Sequence, residues 1–529
     1  MHPAFAQVES SLPDIGSSAA EAITPTQQDE YGAYTLHELR RLGYVLDDAL
    51  VDDWLQSVGN RLVANSPRPS LHFTFFLMRS RDINAFATLG GYSGINVGLI
   101  LAAQDEDEMA AVMAHEISHV TQNHILRAVE RTKKAALPII LGMLGAIVLA
   151  QKAGGNSGAN ATQAAIATGQ SLLQQTQIDF TRANEAEADR IGIQTLARAD
   201  YQPIAMADFF ARLQLATRSD RGSDSRYQAP DFLQTHPVTT TRISEATERA
   251  RQLERDPPPT HFDSNLAPAN PLLPQFVSTS ALTSHADARG TSRQFDWAKE
   301  RLRVLSADSP GAALSEYRKI QSLHADKFND AQRYGTALAQ LRNGETGVAR
   351  LGLQSMLDKH PDNVWVDLAL ADAERASGNL AVARSRYDAI LARTPNNRGV
   401  ILSYAQALGE IGTAQAGRRA QEILKPLQDN SREDAVFQQT FARASELAGD
   451  SFRAGEAYAE AAFLNGRAED ALNQLERLKK SDRIDYYQRS RIDARIAEMT
   501  PIVLELQKYG VHAQDADRER QLAPQGTAF

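Results

Sequence analysis

The side chains best suited to chemistry are His115, Glu116 and His119, which form an H-E-x-x-H motif inside a predicted helix. Residues four apart lie on one face of a helix, so both imidazoles can reach one Zn²⁺ ion. Glu116 stands beside them, where it would accept a proton from the attacking water and return it to the leaving amine. The motif predicts a zinc-dependent hydrolase, whose metal needs a third protein ligand and an open position.

His124 is the next histidine along the chain, five residues after His119. Zinc proteases of the H-E-x-x-H-x-x-G-x-x-H type place their third histidine six residues after the second, whereas Gln122 stands here in place of the helix-ending glycine. The pattern predicts that the helix runs on from Met109 to about Val129, and His124 then points about 140° away from His119. We therefore do not expect His124 to bind the metal.

A second helix, predicted over 178–199, carries Glu185 and Asp189 on one face. Glu185 is the candidate third ligand. Two roles are open for Asp189, because it could hold a ligand histidine through the free N–H group or donate a proton in the transition state. Glu187 lies about 200° from Glu185 around the helix and is predicted to be solvated.

His236 and Arg242 follow a turn-rich stretch and add two further candidates. His236 could occupy the open metal position in a latent state, or it could hydrogen-bond the tetrahedral intermediate. Arg242 is six residues further on and could pair with a carboxylate near the site. Both residues are therefore included among the predicted site residues.

The elements that must position these residues can be predicted from hydrophobic spacing. Leu and Val recur at helical spacing over 38–63, which predicts one or two helices. Residues 71–77 alternate and predict a strand, while residues 84–97 predict a hairpin with a glycine turn. An unfolded substrate would add its backbone along the edge strand that contains Asn84, Ala85 and Phe86.

Composition narrows the chemistry of the site. The 529 residues include no cysteine, which excludes disulfides, thiolate metal sites and cysteine nucleophiles. Any metal ligands must therefore be His, Asp or Glu. The formal net charge of −9 argues against a nucleic-acid partner, because such proteins usually carry a basic surface.

Two segments bear on location. Residues 4–6 read Ala-Phe-Ala, the small-x-small form of a signal-peptidase site, so we expect an exported protein whose signal peptide is truncated or removed. Residues 135–150 form an uncharged apolar run, shorter than the roughly 20 residues that a straight bilayer crossing needs. Either a buried or lid helix, or a peripheral contact with the membrane surface, would explain this run.

The chain beyond about residue 295 is repetitive. Gly344, Gly378 and Gly412 follow one another at steps of 34 residues, and Pro361 and Pro395 share this step. A helix–turn–helix unit of 34 residues is typical of tetratricopeptide repeats. Stacked repeats curve into a concave surface suited to peptides or partner proteins.

These motifs together resemble the HtpX-like gluzincin metalloproteases, in particular a soluble, exported branch with C-terminal tetratricopeptide repeats. The resemblance rests on 115–119, the strand at 84–86, Glu185 with Asp189, and Thr-His-Pro at 235–237 with Arg242. It implies one Zn²⁺ per chain. The roles that it implies are metal ligation by His115, His119 and Glu185, general-base catalysis by Glu116 and proton donation by Asp189.

The resemblance also implies a biological role. It indicates an endopeptidase of the bacterial periplasm that degrades misfolded or misassembled outer-membrane proteins. The repeats would dock the outer-membrane β-barrel assembly machinery, and chaperone activity would accompany proteolysis. The alternative is a chaperone or scaffold for outer-membrane assembly in which the metal site is latent.

The predicted fold is mainly α: a gluzincin metalloprotease domain with a small β-sheet, followed by a helical tetratricopeptide-repeat solenoid. In chain order the predicted parts are a flexible N-terminal tail at 1–30, the zinc metalloprotease domain at 31–255, a proline-rich linker at 256–295, the repeat domain at 296–500 and a C-terminal tail at 501–529.

Overall fold

The computed structural model describes residues 23–131, 182–219, 232, 236–256, 294–323, 327–481 and 484–508. The first elements are two helices and a small sheet, in the order α1 (Pro25–Arg41), α2 (Ala49–Ala64), β1 (Thr74–Met78), β2 (Ala85–Ala87), β3 (Tyr92–Asn96) and α3 (Val97–Ala102). The helices around the candidate site follow as α4 (Glu106–Thr121), α5 (His124–Arg131), α6 (Arg182–Arg198), α7 (Ala205–Ser219) and α8 (Thr240–Arg255).

The C-terminal part is an array of helices, which confirms the mainly helical fold class with a small sheet. Its members are α9 (Phe295–Leu305), α10 (Pro310–Leu323), α11 (Asp330–Arg342), α12 (Thr346–Lys359), α13 (Val364–Ala376), α14 (Leu380–Arg393), α15 (Arg398–Ile411), α16 (Ala414–Leu424), α17 (Ala435–Ala448), α18 (Ser451–Leu464), α19 (Ala468–Lys479) and α20 (Tyr486–Lys508). Gly344, Gly378 and Gly412 lie between paired helices with φ of 82°, 82° and 74°. Glycine suits these turns because a left-handed conformation costs it little.

The sheet has β3 at its centre. This strand pairs in parallel with β1 and antiparallel with β2, so β2 is an edge strand. The hairpin predicted over 84–97 is confirmed, with a short 3-10 turn at Leu89–Gly91. The strand predicted over 71–77 is present but begins later, at Thr74.

The start of α4 is tied to two neighbouring elements. Asp105 caps the helix by accepting a hydrogen bond from the Glu108 N–H group at 3.0 Å. The Glu106 carboxylate accepts hydrogen bonds from the Trp54 indole N–H at 3.1 Å and from the Tyr201 hydroxyl at 3.2 Å. Because Trp54 belongs to α2 and Tyr201 follows α6, these bonds fix the H-E-x-x-H helix between them.

The prediction that α4 continues to about Val129 is wrong. The helix ends at Thr121, Asn123 takes a φ of 55°, and α5 begins at His124. Asparagine is one of the few residues that visit the left-handed region readily, so it allows the chain to turn here. The direction deduced for His124 from a continuous helix is therefore also wrong.

α6 lies close against α4 at Gly192. A Cβ atom on Gly192 would lie 3.3 Å from the His115 backbone nitrogen and from the Ala114 carbonyl carbon, and 3.0 Å from Met206 Cε. The missing side chain lets the two helix backbones approach each other. This approach brings the carboxylates of α6 to the histidines of α4.

The two predicted domains pack closely against each other. Arg301 of α9 forms hydrogen bonds with both carboxylate oxygens of Asp48, the residue that caps α2, at 2.7–2.9 Å. The rings of Trp54 and Phe295 lie 6.1 Å apart at this interface, and α15 packs along α2. Buried side chains from both parts form one continuous hydrophobic core.

Both predicted tails are too long at their inner ends. α1 begins at Pro25, where Thr24 and Gln27 form a reciprocal capping box, so residues 25–30 are helical. α20 extends to Lys508, so residues 501–508 are helical as well. Three segments discussed above lie outside the described residues: 4–6, 135–150 and most of the predicted linker. No helix in the described part of the chain has the length and apolar character needed to cross a membrane.

The contact at Gly192 gives a test of the fold. We expect Gly192→Leu to lower the free energy of unfolding by about 1–3 kcal/mol, because overpacking forces α6 away from α4. Gly352→Leu is the matched control, since a Cβ at this helical glycine meets no atom closer than 3.9 Å. Denaturant unfolding of both variants is the measurement, and equal midpoints for the two would contradict the close approach.

Candidate metal centre

The structure brings four predicted residues into one buried group of possible metal donors: His115, His119, Glu185 and His236. Their donor atoms all lie within 4.8 Å of one another. His115 and His119 come from α4, Glu185 comes from α6, and His236 precedes α8. The two nitrogens closest together are the Nε2 atoms of His115 and His119, which lie 3.0 Å apart.

The distances between these donors fit a metal ion. Glu185 oxygens lie 3.5 Å from His115 Nε2 and 3.4 Å from His119 Nε2. His236 Nδ1 lies 3.3 Å from His115 Nε2 and 3.1 Å from Glu185 Oε1. Four ligands at 2.0–2.1 Å around a tetrahedral ion stand about 3.3 Å from one another. The four side chains therefore converge as ligands of one small cation would.

Asp189 and Arg242 form a buried pair behind the donor group. Arg242 donates two hydrogen bonds of 2.7 Å to the Asp189 carboxylate, and its Nη1 lies 2.9 Å from Glu185 Oε2. Asp189 Oδ1 also lies 2.9 Å from His115 Nδ1. The Arg242 guanidinium lies 4.8 Å from the centre of the Phe210 ring, which covers its other side. The Arg242 guanidinium thus contacts the carboxylates of both Glu185 and Asp189 on α6.

These contacts change the acidity of the site in the absence of an ion. Burial acts to raise the pKa of Asp189, but hydrogen bonds with His115 and Arg242 hold it below its usual value. Burial acts to lower the pKa of His115, while its contacts with Asp189 and Glu185 raise it to about 10. Burial lowers the pKa of His119. Because only a neutral imidazole binds a cation, protons and a metal ion compete for His115.

Glu116 lies against the edge of the sheet. Burial raises the pKa of its carboxyl group, which also receives a hydrogen bond from the backbone of Ala87 in β2. Glu116 Oε1 is buried and has no hydrogen-bond partner among the described residues, although His236 Nε2 lies 3.5 Å away. One carboxyl oxygen is therefore anchored, while the other remains able to accept a proton.

The outer edge of β2, on the side away from β3, presents alternate residues. Asn84 accepts a backbone hydrogen bond from Asn96, and Thr88 donates one to Tyr92, so the even-numbered residues face β3. Ala85 and Ala87 consequently direct their backbone groups away from β3. The predicted substrate strand is thus the sheet edge that also contacts Glu116.

His124 and Glu187 lie beside the donor group rather than in it. His124 Nδ1 lies 3.0 Å from His119 Nδ1, on the side of that ring opposite the donor nitrogen. His124 Nε2 lies 3.1 Å from Glu187 Oε2, so Glu187, which was predicted to be solvated, is partly exposed and also contacts a buried histidine. A histidine in this position cannot share an ion with His119 Nε2.

Sequence reasoning missed several contacts. Phe210 supports Arg242, and the Phe232 ring stacks on His236 at 4.8 Å, but neither residue belongs to a recognisable motif. The contact between His124 and His119 was missed because α4 was expected to continue. Asn123 was the available signal, since asparagine often ends a helix.

Comparisons with known proteins agree with the geometry. The profile of peptidase family M48 matches residues 49–250. The beta-barrel assembly-enhancing protease of Escherichia coli (strain K12) is 30% identical over 499 residues, which cover 94% of this chain and 93% of the relative. The protein of the same name from Yersinia pestis is 32% identical over 358 residues, covering 67% and 64%. A putative beta-barrel assembly-enhancing protease of Vibrio cholerae is 39% identical over 284 residues, covering 53% and 55%.

The buried ion pair gives a test by substitution. We expect Arg242→Ala to cost about 3–5 kcal/mol, because it leaves the charges of Asp189 and Glu185 uncompensated in the interior. Arg491→Ala is the control, since Arg491 makes the same two-bond contact with Glu456 but its side chain is 62% exposed. That control should lose about 1 kcal/mol or less. Chemical denaturation of the metal-free proteins measures both, and a loss for Arg242→Ala no larger than that of the control would contradict the buried clamp.

Proposed function

Because the chain belongs to peptidase family M48 and is a metalloendopeptidase, we propose that it binds one zinc ion through His115, His119 and Glu185. The spacing of the donor atoms carries this proposal, since it matches the edges of a zinc tetrahedron. Two imidazoles and a carboxylate are also a usual donor set for catalytic zinc. When bound, the ion would polarise the scissile carbonyl and lower the pKa of water towards about 7.

Glu116 acts as the general base in this proposal. Its unpartnered oxygen can accept a proton from the attacking water and can later deliver it to the leaving amine. Its raised pKa suits both steps, because proton transfer is efficient when the pKa of the base approaches the working pH. The hydrogen bond from Ala87 keeps the carboxyl group beside the bound peptide.

Asp189 acts as a positioning residue rather than as the proton donor. Its two hydrogen bonds with Arg242 and its lowered pKa keep it a carboxylate. A carboxylate at 2.9 Å from His115 Nδ1 orients that ring and leaves Nε2 for the metal. Of the two roles open for this residue, the geometry supports the first.

The substrates in this proposal are unfolded or misassembled polypeptides. The backbone carbonyl groups of Ala85 and Ala87 point outward from the edge of β2 and can accept hydrogen bonds from an extended chain, whereas their N–H groups already bond to Asn84 and Glu116. A folded protein cannot supply such a strand readily. The relative's name, beta-barrel assembly-enhancing protease, agrees with a role in β-barrel assembly. We propose that the chain works in the periplasm on misassembled outer-membrane proteins. The C-terminal helical array, with its tetratricopeptide period, would dock the assembly machinery.

His236 supports a second function. Its Nδ1 lies at the distance of a fourth ligand, which would leave no open position for water or substrate. In this latent state the chain would act as a chaperone or scaffold for outer-membrane assembly. Proteolysis would begin when His236 withdraws from the metal.

The first test concerns Glu116. We expect Glu116→Gln to reduce cleavage of an unfolded protein by about 10²–10⁴-fold, since the amide cannot accept the proton. Bound metal should stay at one ion per chain. Glu422→Gln, at a carboxylate that is 69% exposed in α16, is the control and should cleave as the original chain does. Unchanged cleavage by Glu116→Gln would contradict the proposed protease mechanism and favour the scaffold function.

The second test concerns latency. We expect His236→Ala to bind zinc and to cleave an unfolded substrate faster than the original chain, because the fourth metal position becomes open. The initial rate of cleavage at equal metal content is the measurement. A fall in rate would instead mean that His236 stabilises the reaction itself, which is the other role predicted for it.

A further inference from the structure

The second histidine of the H-E-x-x-H motif has a support that the motif does not explain. His119 directs Nε2 to the donor group, and its Nδ1 lies 3.0 Å from Nδ1 of His124. His124 Nε2 in turn lies 3.1 Å from Glu187 Oε2. A continuous line of polar contacts thus runs from Glu187 on α6, through a fully buried imidazole, to the far side of His119.

The chemistry of imidazole gives this line a direction. If His119 binds a metal through Nε2, its remaining proton lies on Nδ1, so His119 must donate to His124. His124 then accepts at Nδ1 and, as a neutral ring, has its own proton on Nε2. That proton faces the Glu187 carboxylate, which accepts it. Each contact in the line therefore has one donor and one acceptor without conflict.

The first histidine of the motif is supported differently. His115 Nδ1 faces the Asp189 carboxylate directly, at 2.9 Å, whereas His119 reaches its carboxylate only through a second imidazole. Glu187 is also more accessible, with its side chain 35% exposed against 8% for Asp189. The support of His119 thus extends from the buried centre to the surface of the domain.

The local fold places His124 in this position. The left-handed turn at Asn123 ends α4 and starts α5, which brings the ring of His124 back against His119. The two ring centres lie 4.9 Å apart with an interplanar angle of 74°. This edge-on arrangement lets the two Nδ1 atoms meet.

We propose that His124 is a positioning residue, which fixes the tautomer and the orientation of His119 for the metal and is itself held by Glu187. The inference rests on the proposed zinc site. It predicts that loss of His124 weakens metal binding even though this residue does not touch the ion. Outer contacts of this kind typically change metal affinity by about 10–100-fold.

The test uses the full chain with zinc and cobalt as probes. Zinc affinity is measured by competition with a chelator, and the visible spectrum of the cobalt-loaded protein reports the ligand geometry. We expect His124→Ala to bind zinc about 10–100-fold more weakly and to change the cobalt spectrum. His124→Asn retains an acceptor near the Nδ1 position and should lose less. Glu187→Gln retains an acceptor oxygen and should stay near the original affinity.

His360→Ala is the matched control. His360 Nε2 lies 3.0 Å from Asp330 in the helical array, so this variant also breaks a contact between a histidine and a carboxylate. Its zinc affinity and cobalt spectrum should not change.

If the original chain binds no stoichiometric zinc, the proposed function fails. If it does bind zinc and both His124 variants bind it equally well, only the role of His124 is overturned. Should His124→Ala not fold, His124→Leu decides, because leucine fills the space of the imidazole without an acceptor; undiminished zinc affinity and an unchanged cobalt spectrum would contradict the inference.

Discussion

The arrangement of the site depends on one buried guanidinium. Arg242 bonds to Asp189 with two short hydrogen bonds and also contacts Glu185, so one guanidinium compensates charge on both carboxylates in the interior. Without it the repulsion between these carboxylates would be opposed only by neighbouring imidazoles such as that of His115, whose pKa they raise. Because Asp189 orients His115 and Glu185 faces both histidines of α4, the position of Arg242 determines where the donors meet. A divalent ion would supply the charge that Arg242 leaves uncompensated.

The rest of the fold connects the site to the C-terminal array of helices. α2 is the shared element, since Trp54 bonds to the start of α4 while Asp48, which caps the same helix, bonds to Arg301. α4, which carries His115 and His119, and the first helix of the array therefore contact the same helix. Since one hydrophobic core runs through both parts, we expect them to unfold together rather than as independent domains.

Local patterns predicted most of the fold and the residue types of the site. The spacing of His115 and His119 fixes their common helical face, and the 34-residue glycine step predicted the turns of the array, because both follow from a regular helix. What could not be predicted depends on non-local contacts or on single turns. The approach of α6 at Gly192 is a tertiary contact. The turn at Asn123 involves one residue, and hydrophobic spacing does not reveal it. It changes the direction of the His124 side chain, which contacts His119 and Glu187.

The central claim is that α4 and α6 form one metal site from His115, His119 and Glu185. Anomalous diffraction from crystals of the purified protein at the zinc absorption edge tests it most directly. The account predicts one peak per chain, about 2.0–2.2 Å from His115 Nε2, His119 Nε2 and a Glu185 oxygen. A chain without such a peak, or a peak held by other residues, would contradict it.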